Sequence, residues 1–245
     1  MNALEACGLC KAYPGFRLED VSFSVPEGAV VGMVGRNGAG KSTTLKSLLG
    51  LVRPDAGEVR FFGRDLLREG PACRQQIGVA LGEAGFYPKK KLKTLTAVAA
   101  RFFPDWDDGT YRRCCRDFGL DGEKTVDQLS AGMRVKYQLA LAMSHGARLL
   151  ILDEPTSGLD PVSRDELVAL FRALARDGAC SILFSTHITS DLEKCADRIV
   201  LIRAGRVLCD DTLDGCLRRF AGLGSTLEEI LISVERGDSR GSDAP

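Results

Sequence analysis

The sequence predicts an α/β protein with a mainly parallel core sheet, an antiparallel β segment at the N-terminus and a helical insertion in the middle. Three apolar runs carry that prediction: residues 29–34, 149–152 and 181–185. Each is short and unbroken, as strands buried on both faces of a parallel sheet are. Each run also ends in residues suited to phosphate or metal chemistry: a glycine-rich loop, then Asp153-Glu154, then Thr186-His187. Ligands of open α/β sheets gather beyond the carboxyl ends of the strands. Fold and chemistry therefore point the same way.

The elements follow in order. Up to about Gly63 the chain reads as antiparallel strands around the first buried strand, with turns at Pro26-Glu27-Gly28 and Pro54-Asp55-Ala56-Gly57. Residues 84–145 change to helical spacing and carry basic clusters at Lys89-Lys90-Lys91 and Arg112-Arg113, read as solvated. Ser130 is placed to cap a helix through Met133, Val135, Leu139 and Ala142. Further helices are predicted over 162–176 and 190–196, and a hairpin over 198–208 turning at Ala204-Gly205. A short terminal helix is predicted over 226–234. The whole reads as one domain, 1–235, with a polar Gly-, Ser- and Asp-rich tail at 236–245 expected to be disordered.

Composition narrows the function. The 245 residues are 44% hydrophobic and 27% charged, which suits a well-buried core under an ordinary surface. Lys+Arg and Asp+Glu both number 33, so there is no basic footprint of a general nucleic-acid binder, and no nucleic-acid partner is expected. No run approaches the roughly 20 apolar residues of a membrane span, and the N-terminus lacks the pattern of a secretory signal. Nine scattered cysteines in a chain of this size indicate a reducing compartment. Cys7 and Cys10 form a C-x-x-C without a second pair, and are read as strand residues.

Gly35-Arg36-Asn37-Gly38-Ala39-Gly40-Lys41-Ser42 fits G-x-x-x-x-G-K-[ST], the phosphate-binding loop, here between a buried strand and an apolar helical pattern. Glycines let successive N–H groups converge on an anion, and the following helix adds the positive end of its dipole. Lys41 supplies a mobile charge for the β- and γ-phosphates, and Ser42 a hydroxyl for Mg²⁺. Asp153 is read as a second Mg²⁺ residue, acting through water. Glu154 is read as the group that polarises the attacking water. ATP or GTP binding follows from this pattern.

Leu129-Ser130-Ala131-Gly132-Met133, then LLILDEPTSGLDP, then Ser185-Thr186-His187 resemble, in order and spacing, the nucleotide-binding domain of ABC transporters. The resemblance runs from Tyr13 to the terminal helix and fits bacterial exporters whose membrane chains are separate. It implies a phosphate-loop NTPase fold of ABC type, ATP and Mg²⁺ as cofactors, and ATP hydrolysis coupled to transport. Tyr13 resembles the aromatic that stacks on adenine, and Gly35 through Thr43 the first nucleotide loop. Ser130 and Gly132 match the signature that contacts the γ-phosphate held by the opposite domain. Asp160 resembles a residue of the loop crossing the dimer interface, and His187 the switch histidine, which with Glu154 and Lys41 completes the catalytic set.

The resemblance further implies a second ABC domain, identical or related, transmembrane permease subunits, and a cytoplasmic position on the inner face of the membrane. Two departures stand out. Ala131 replaces a common glycine, and either Gly82 or Glu83 stands where members carry a glutamine that touches Mg²⁺. Two other functions compete with transport. A soluble ABC ATPase of translation or DNA repair would commonly carry two nucleotide domains or long inserted arms. An ATP-sensing regulator without turnover fits poorly with intact Lys41, Asp153, Glu154 and His187.

Overall fold

The computed structural model describes residues 1–81, 87–178 and 180–237. In chain order the elements are β1 (Asn2–Tyr13), β2 (Phe16–Pro26), β3 (Val30–Val34), α1 (Lys41–Leu48), β4 (Ala56–Phe61), β5 (Arg64–Asp65), α2 (Gly70–Gln75) and β6 (Ile77–Leu81). Then come α3 (Leu92–Ala99), α4 (Asp108–Phe118), α5 (Ala131–Ser144), β7 (Leu149–Asp153), α6 (Pro161–Arg176), β8 (Ser181–Thr186) and α7 (Thr189–Cys195). The chain continues through β9 (Arg198–Arg203), β10 (Arg206–Thr212), α8 (Leu213–Arg219) and α9 (Leu227–Arg236). Short 3₁₀ turns lie at Ala100–Phe102 and Val126–Gln128.

Two sheets result. The first is antiparallel where its pairs are formed, with order β2-β1-β4-β5; the second has order β10-β9-β3-β8-β7-β6. In the second sheet β3, β6, β7, β8 and β9 run parallel and β10 returns antiparallel to β9. The first buried strand, β3, thus belongs to the parallel sheet, not among the antiparallel strands that precede and follow it. The reason is visible in its residues: all five are buried, so it needs cover on both faces.

That cover comes from two cores divided by side-chain alternation. Val30, Val34, Leu150, Leu152, Ile182 and Phe184 join a cluster with Leu167, Phe171 and Leu174 of α6 and Ile230 of α9. Val31, Met33, Leu149, Ile151 and Leu183 face the other way, onto Leu45 and Leu48 of α1 and the antiparallel sheet. Each such side chain, fully buried, contributes about 1.5–3 kcal/mol. The unbroken apolar runs of the sequence are therefore two interleaved half-patterns.

A third cluster belongs to α3, α4 and α5: Leu92, Cys114, Leu120, Tyr137 and Ala140. Among the described residues between 87 and 145 the only regular elements are helical. The helix α4 starts on Asp107, whose carboxylate accepts from the N–H groups of Gly109 and Thr110, and ends at Gly119 in a left-handed conformation. Gly82 and Glu83, the alternatives for the glutamine position, lie outside the described residues, as do residues 238–245. Among the described residues no helix is long and apolar enough to cross a membrane.

Candidate active site

A cleft of about 610 Å³ opens where the segments after β3, β7 and β8 meet. It is lined by Gly15, Phe16, Arg36, Asn37, Gly38, Gly40, Lys41, Ser42, Thr43, Glu154, Ser157 and His187. The loop from β3 to α1 forms one wall. Gly40 has φ +115°, and a Cβ added there would lie 2.8 Å from Leu18 Cδ2, so only glycine fits. Gly35 and Ala39 are buried beneath the loop. The Ala39 N–H donates to the Arg36 carbonyl at 3.0 Å, and the Ala39 carbonyl accepts from Gly205 N–H at 2.9 Å. The turn between β9 and β10 thereby braces the loop from behind.

Lys41 opens α1 and is only 5% exposed. Its ammonium donates to the carbonyls of Gly35 (2.7 Å) and Arg36 (3.4 Å) and ion-pairs with Glu154 Oε1 at 3.2 Å. The other carboxylate oxygen of Glu154, Oε2, is 2.8 Å from His187 Nδ1. Lysine, glutamate and histidine from three separate strand ends thus form one continuous chain. Glu154 has φ +50°, a left-handed conformation that costs a side-chain-bearing residue about 1–2 kcal/mol. Backbone strain of this kind concentrates at functional positions.

Asp153, the last residue of β7, is held by Ser185. The Ser185 hydroxyl donates to Asp153 Oδ1 at 2.5 Å and accepts from the Glu154 N–H at 3.1 Å. Ser185 is fully buried on β8, directly across from Asp153 in the parallel register. One hydroxyl therefore fixes both acidic residues. Asp153 lines a neighbouring cavity of about 290 Å³ that also includes Glu154, Arg134 and Gln138.

The remaining expected residues sit apart. Ser130 caps α5, its oxygen accepting from Met133 N–H at 3.2 Å. With Gly132 it lines a separate hollow of about 60 Å³. Asp160 caps α6 by accepting from Val162 N–H (3.0 Å) and Ser163 N–H (3.1 Å). Hydrogen bonds from Ser163, first from its hydroxyl, hold the Asp160 carboxyl below the usual aspartate range. Tyr13, 42% exposed, is the cross-strand partner of Phe16 at the β1–β2 turn, and its ring lies 5.8 Å from the Lys11 ammonium. It is Phe16, not Tyr13, that lines the cleft.

Phe16, Ser157 and Ser185 carry no assigned role in the sequence reading. Phe16 stands three residues from Tyr13 in a glycine-containing turn, so spacing alone does not rank the two rings. Ser185 is hidden because a strand-end serine looks like a solubilising residue until its partner strand is known.

Residues 18–157 match the family described as ABC transporter. The chain is 32% identical over 219 residues to the bacitracin transport ATP-binding protein BcrA of Bacillus licheniformis, covering 88% of this chain and 72% of that protein. It is 36% identical over 218 residues to the daunorubicin/doxorubicin resistance ATP-binding protein DrrA of Streptomyces peucetius, covering 86% and 66% respectively. Among solved structures, the ATP-binding subunit of an ABC transporter superposes with a TM-score of 0.83 at 30% identity, covering 95% of this chain and 99% of that one. A dimeric ATP-binding cassette in a post-hydrolysis state with ADP and Pi gives a TM-score of 0.74 at 21% identity, covering 85% and 98%. The last likeness speaks to the fold.

Proposed function

The chain belongs to the ABC transporter family and is an ATP-hydrolysing subunit of it, and we propose that it powers export through membrane-spanning subunits carried on separate chains. The observation that carries the catalytic part is the convergence of Lys41, Glu154 and His187 in the cleft under the phosphate loop.

The loop N–H groups, the start of α1 and the Lys41 ammonium bind the β- and γ-phosphates. Because Lys41 already pairs with Glu154, an arriving triphosphate takes over the ammonium and leaves the carboxylate free to receive a proton. His187 holds Oε2 and so fixes the direction of the other oxygen toward the attacking water. Water oxygen bonds to the γ-phosphorus, the bond to the bridging oxygen of ADP breaks, and Glu154 draws the water proton.

Two groups fit Mg²⁺. Asp153 has one oxygen fixed by Ser185 and the other without a hydrogen bond among the described residues, and the exposed Ser42 hydroxyl is likewise unengaged. When bound there, Mg²⁺ supplies charge neutralisation on the phosphate oxygens.

We read the site as half of a composite. Ser130 and Gly132 line a different hollow from the phosphate loop, so a second ABC domain, identical or related, supplies that pair, with Asp160 at the junction. ATP binding the closed pair better than the open one would draw the two together. For the membrane subunits we favour the apolar cavity of about 350 Å³ lined by Leu49, Leu51, Ile77, Val79, Phe103 and Leu141. There Leu51 is 64% and Val79 38% exposed, a contiguous apolar surface of the sort that partners cover. With that surface turned to the membrane subunits, we read the chain as sitting at the inner face of the membrane, where ATP is supplied.

Glu154→Gln tests the reading. The variant is expected to bind ATP, lose about 10²–10⁴-fold in hydrolysis, and accumulate as an ATP-bound dimer by size-exclusion chromatography. Hydrolysis at the wild-type rate would remove Glu154 from its role.

A further inference from the structure

A second cleft, of about 580 Å³, lies between α3 and α4 and shares no residue with the phosphate cleft. That volume is within the range of small-molecule sites, roughly 300–1,000 Å³. Trp106 and Tyr111 stand together in its lining, ring centroids 5.7 Å apart and tilted by 40°. At its base Thr96, 7% exposed, donates to the Tyr111 hydroxyl at 2.8 Å and lies 3.0 Å from the Tyr137 hydroxyl.

The charges are arranged unevenly. Arg112 and Arg116 sit one turn apart on α4, and both line the cleft. Among the described residues neither guanidinium has an acidic partner or a hydrogen bond. Their neighbour Arg113, outside the lining, has both, with Asp107 and Thr110. Lys93 lines the cleft and is paired with Glu123. Asp108, the one carboxylate of the lining, accepts from Trp106 Nε1 at 2.8 Å.

We propose that this cleft is a binding site for a planar aromatic anion, an aryl carboxylate or aryl sulfonate. The ring lies against Trp106 and Tyr111, whose faces and edges favour offset or tilted packing. The acid group is taken by Arg112 and Arg116, since a guanidinium fork matches a carboxylate or sulfonate in shape as well as charge. Thr96 ties the base of the cleft to Tyr137 of α5. An occupant would therefore rest one hydrogen bond away from the helix that Ser130 caps.

The chain has a single tryptophan, so its fluorescence reports on this cleft alone. The probe is p-toluenesulfonate, with p-methylbenzyl alcohol as the neutral ring and methanesulfonate as the ringless anion, and calorimetry on the same solutions detects binding that leaves emission unchanged. Saturable binding of the aryl sulfonate is expected, with both comparison compounds at least about tenfold weaker, a difference of roughly 1.4 kcal/mol. The double variant Arg112→Gln/Arg116→Gln should lose about tenfold in affinity for the aryl sulfonate while keeping the wild-type ATPase rate and melting temperature. Absence of saturable binding by both methods overturns the proposal, as does equal binding of either comparison compound or undiminished binding by the double variant. If the double variant melts early, the three-compound comparison on the wild-type protein decides.

Discussion

Ser185→Ala deletes a single oxygen that engages both acids of the candidate site. The hydroxyl donates to Asp153 Oδ1 at 2.5 Å and accepts from Glu154 N–H at 3.1 Å. The second loss is cheap, because the same N–H also donates to the Ser185 carbonyl at 3.1 Å, which the substitution leaves in place. The first is not. A hydrogen bond to a charged acceptor contributes about 1.5–3 kcal/mol. Asp153 is only partly buried, so water recovers some of that, and the lower end applies. At about 1.5 kcal/mol, and roughly 2–4 °C per kcal/mol for a chain of this length, the melting temperature should fall by about 3–6 °C. With one oxygen of Asp153 no longer fixed, half-saturation of the ATPase by Mg²⁺ should move to higher concentration. Thermal melts followed by circular dichroism without nucleotide, and ATPase rates across a Mg²⁺ titration, measure the two effects. A melting temperature within about 1 °C of wild type, with an unmoved Mg²⁺ dependence, would refute the bridging role.

Replacing Tyr13 and Phe16 together by Ala should weaken ATP by about 1–3 kcal/mol, the usual worth of base stacking, and leave inorganic tripolyphosphate unaffected in calorimetry. Equal ATP affinity would move the adenine seat away from the β1–β2 turn. In Gly205→Ala the new Cβ would lie 1.8 Å from the Arg17 carbonyl at φ +79°. The hydrogen bonds of Gly205 to Ala39 and Glu19 prevent easy relaxation, so urea unfolding should show a loss of at least about 2 kcal/mol, together with weaker ATP binding. Burial holds the His145 imidazole below its ordinary 6.5, so below pH 6.5 the unfolded chain binds more protons than the folded one and stability falls until the folded-state value is passed. His145→Asn should therefore narrow its stability gap to wild type between about pH 7.5 and about pH 5. A gap constant with pH would contradict the buried neutral imidazole stacked 3.8 Å from Phe103.

Much of the fold was legible because three strands are buried on both faces and so write their residues as unbroken apolar runs. The helix predicted over 162–176 is observed as Pro161–Arg176, where Asp160 and Pro161 give a strong start signal. The hairpin turn at Ala204-Gly205 is where β9 meets β10, although β10 runs on to Thr212. The strand β6 was not legible: in Ile-Gly-Val-Ala-Leu the strand formers Ile77 and Val79 alternate with glycine and alanine, and its identity comes from pairing along β7. α2 and α8, six and seven residues long, each contain a glycine, a weak helix former, and are too short to show a period against it. In the candidate site, the phosphate loop and the Asp153-Glu154 pair announce themselves because contiguous residues carry each pattern. Phe16 and Ser185 do not, since each gains meaning only from a neighbour brought in by another strand.

Neighbouring strands β3, β8 and β7 lie in direct parallel register, Val34 beside Thr186 and Ser185 beside Asp153. The phosphate loop, the acidic pair and the histidine are therefore mounted on a single slab clamped between two packed cores. A slab held so tightly has no room to transmit news of bond cleavage by flexing. Within one domain, movement is left to the seam with α3, α4 and α5, whose own core is tied to the slab through Leu139 and Ala142 of α5.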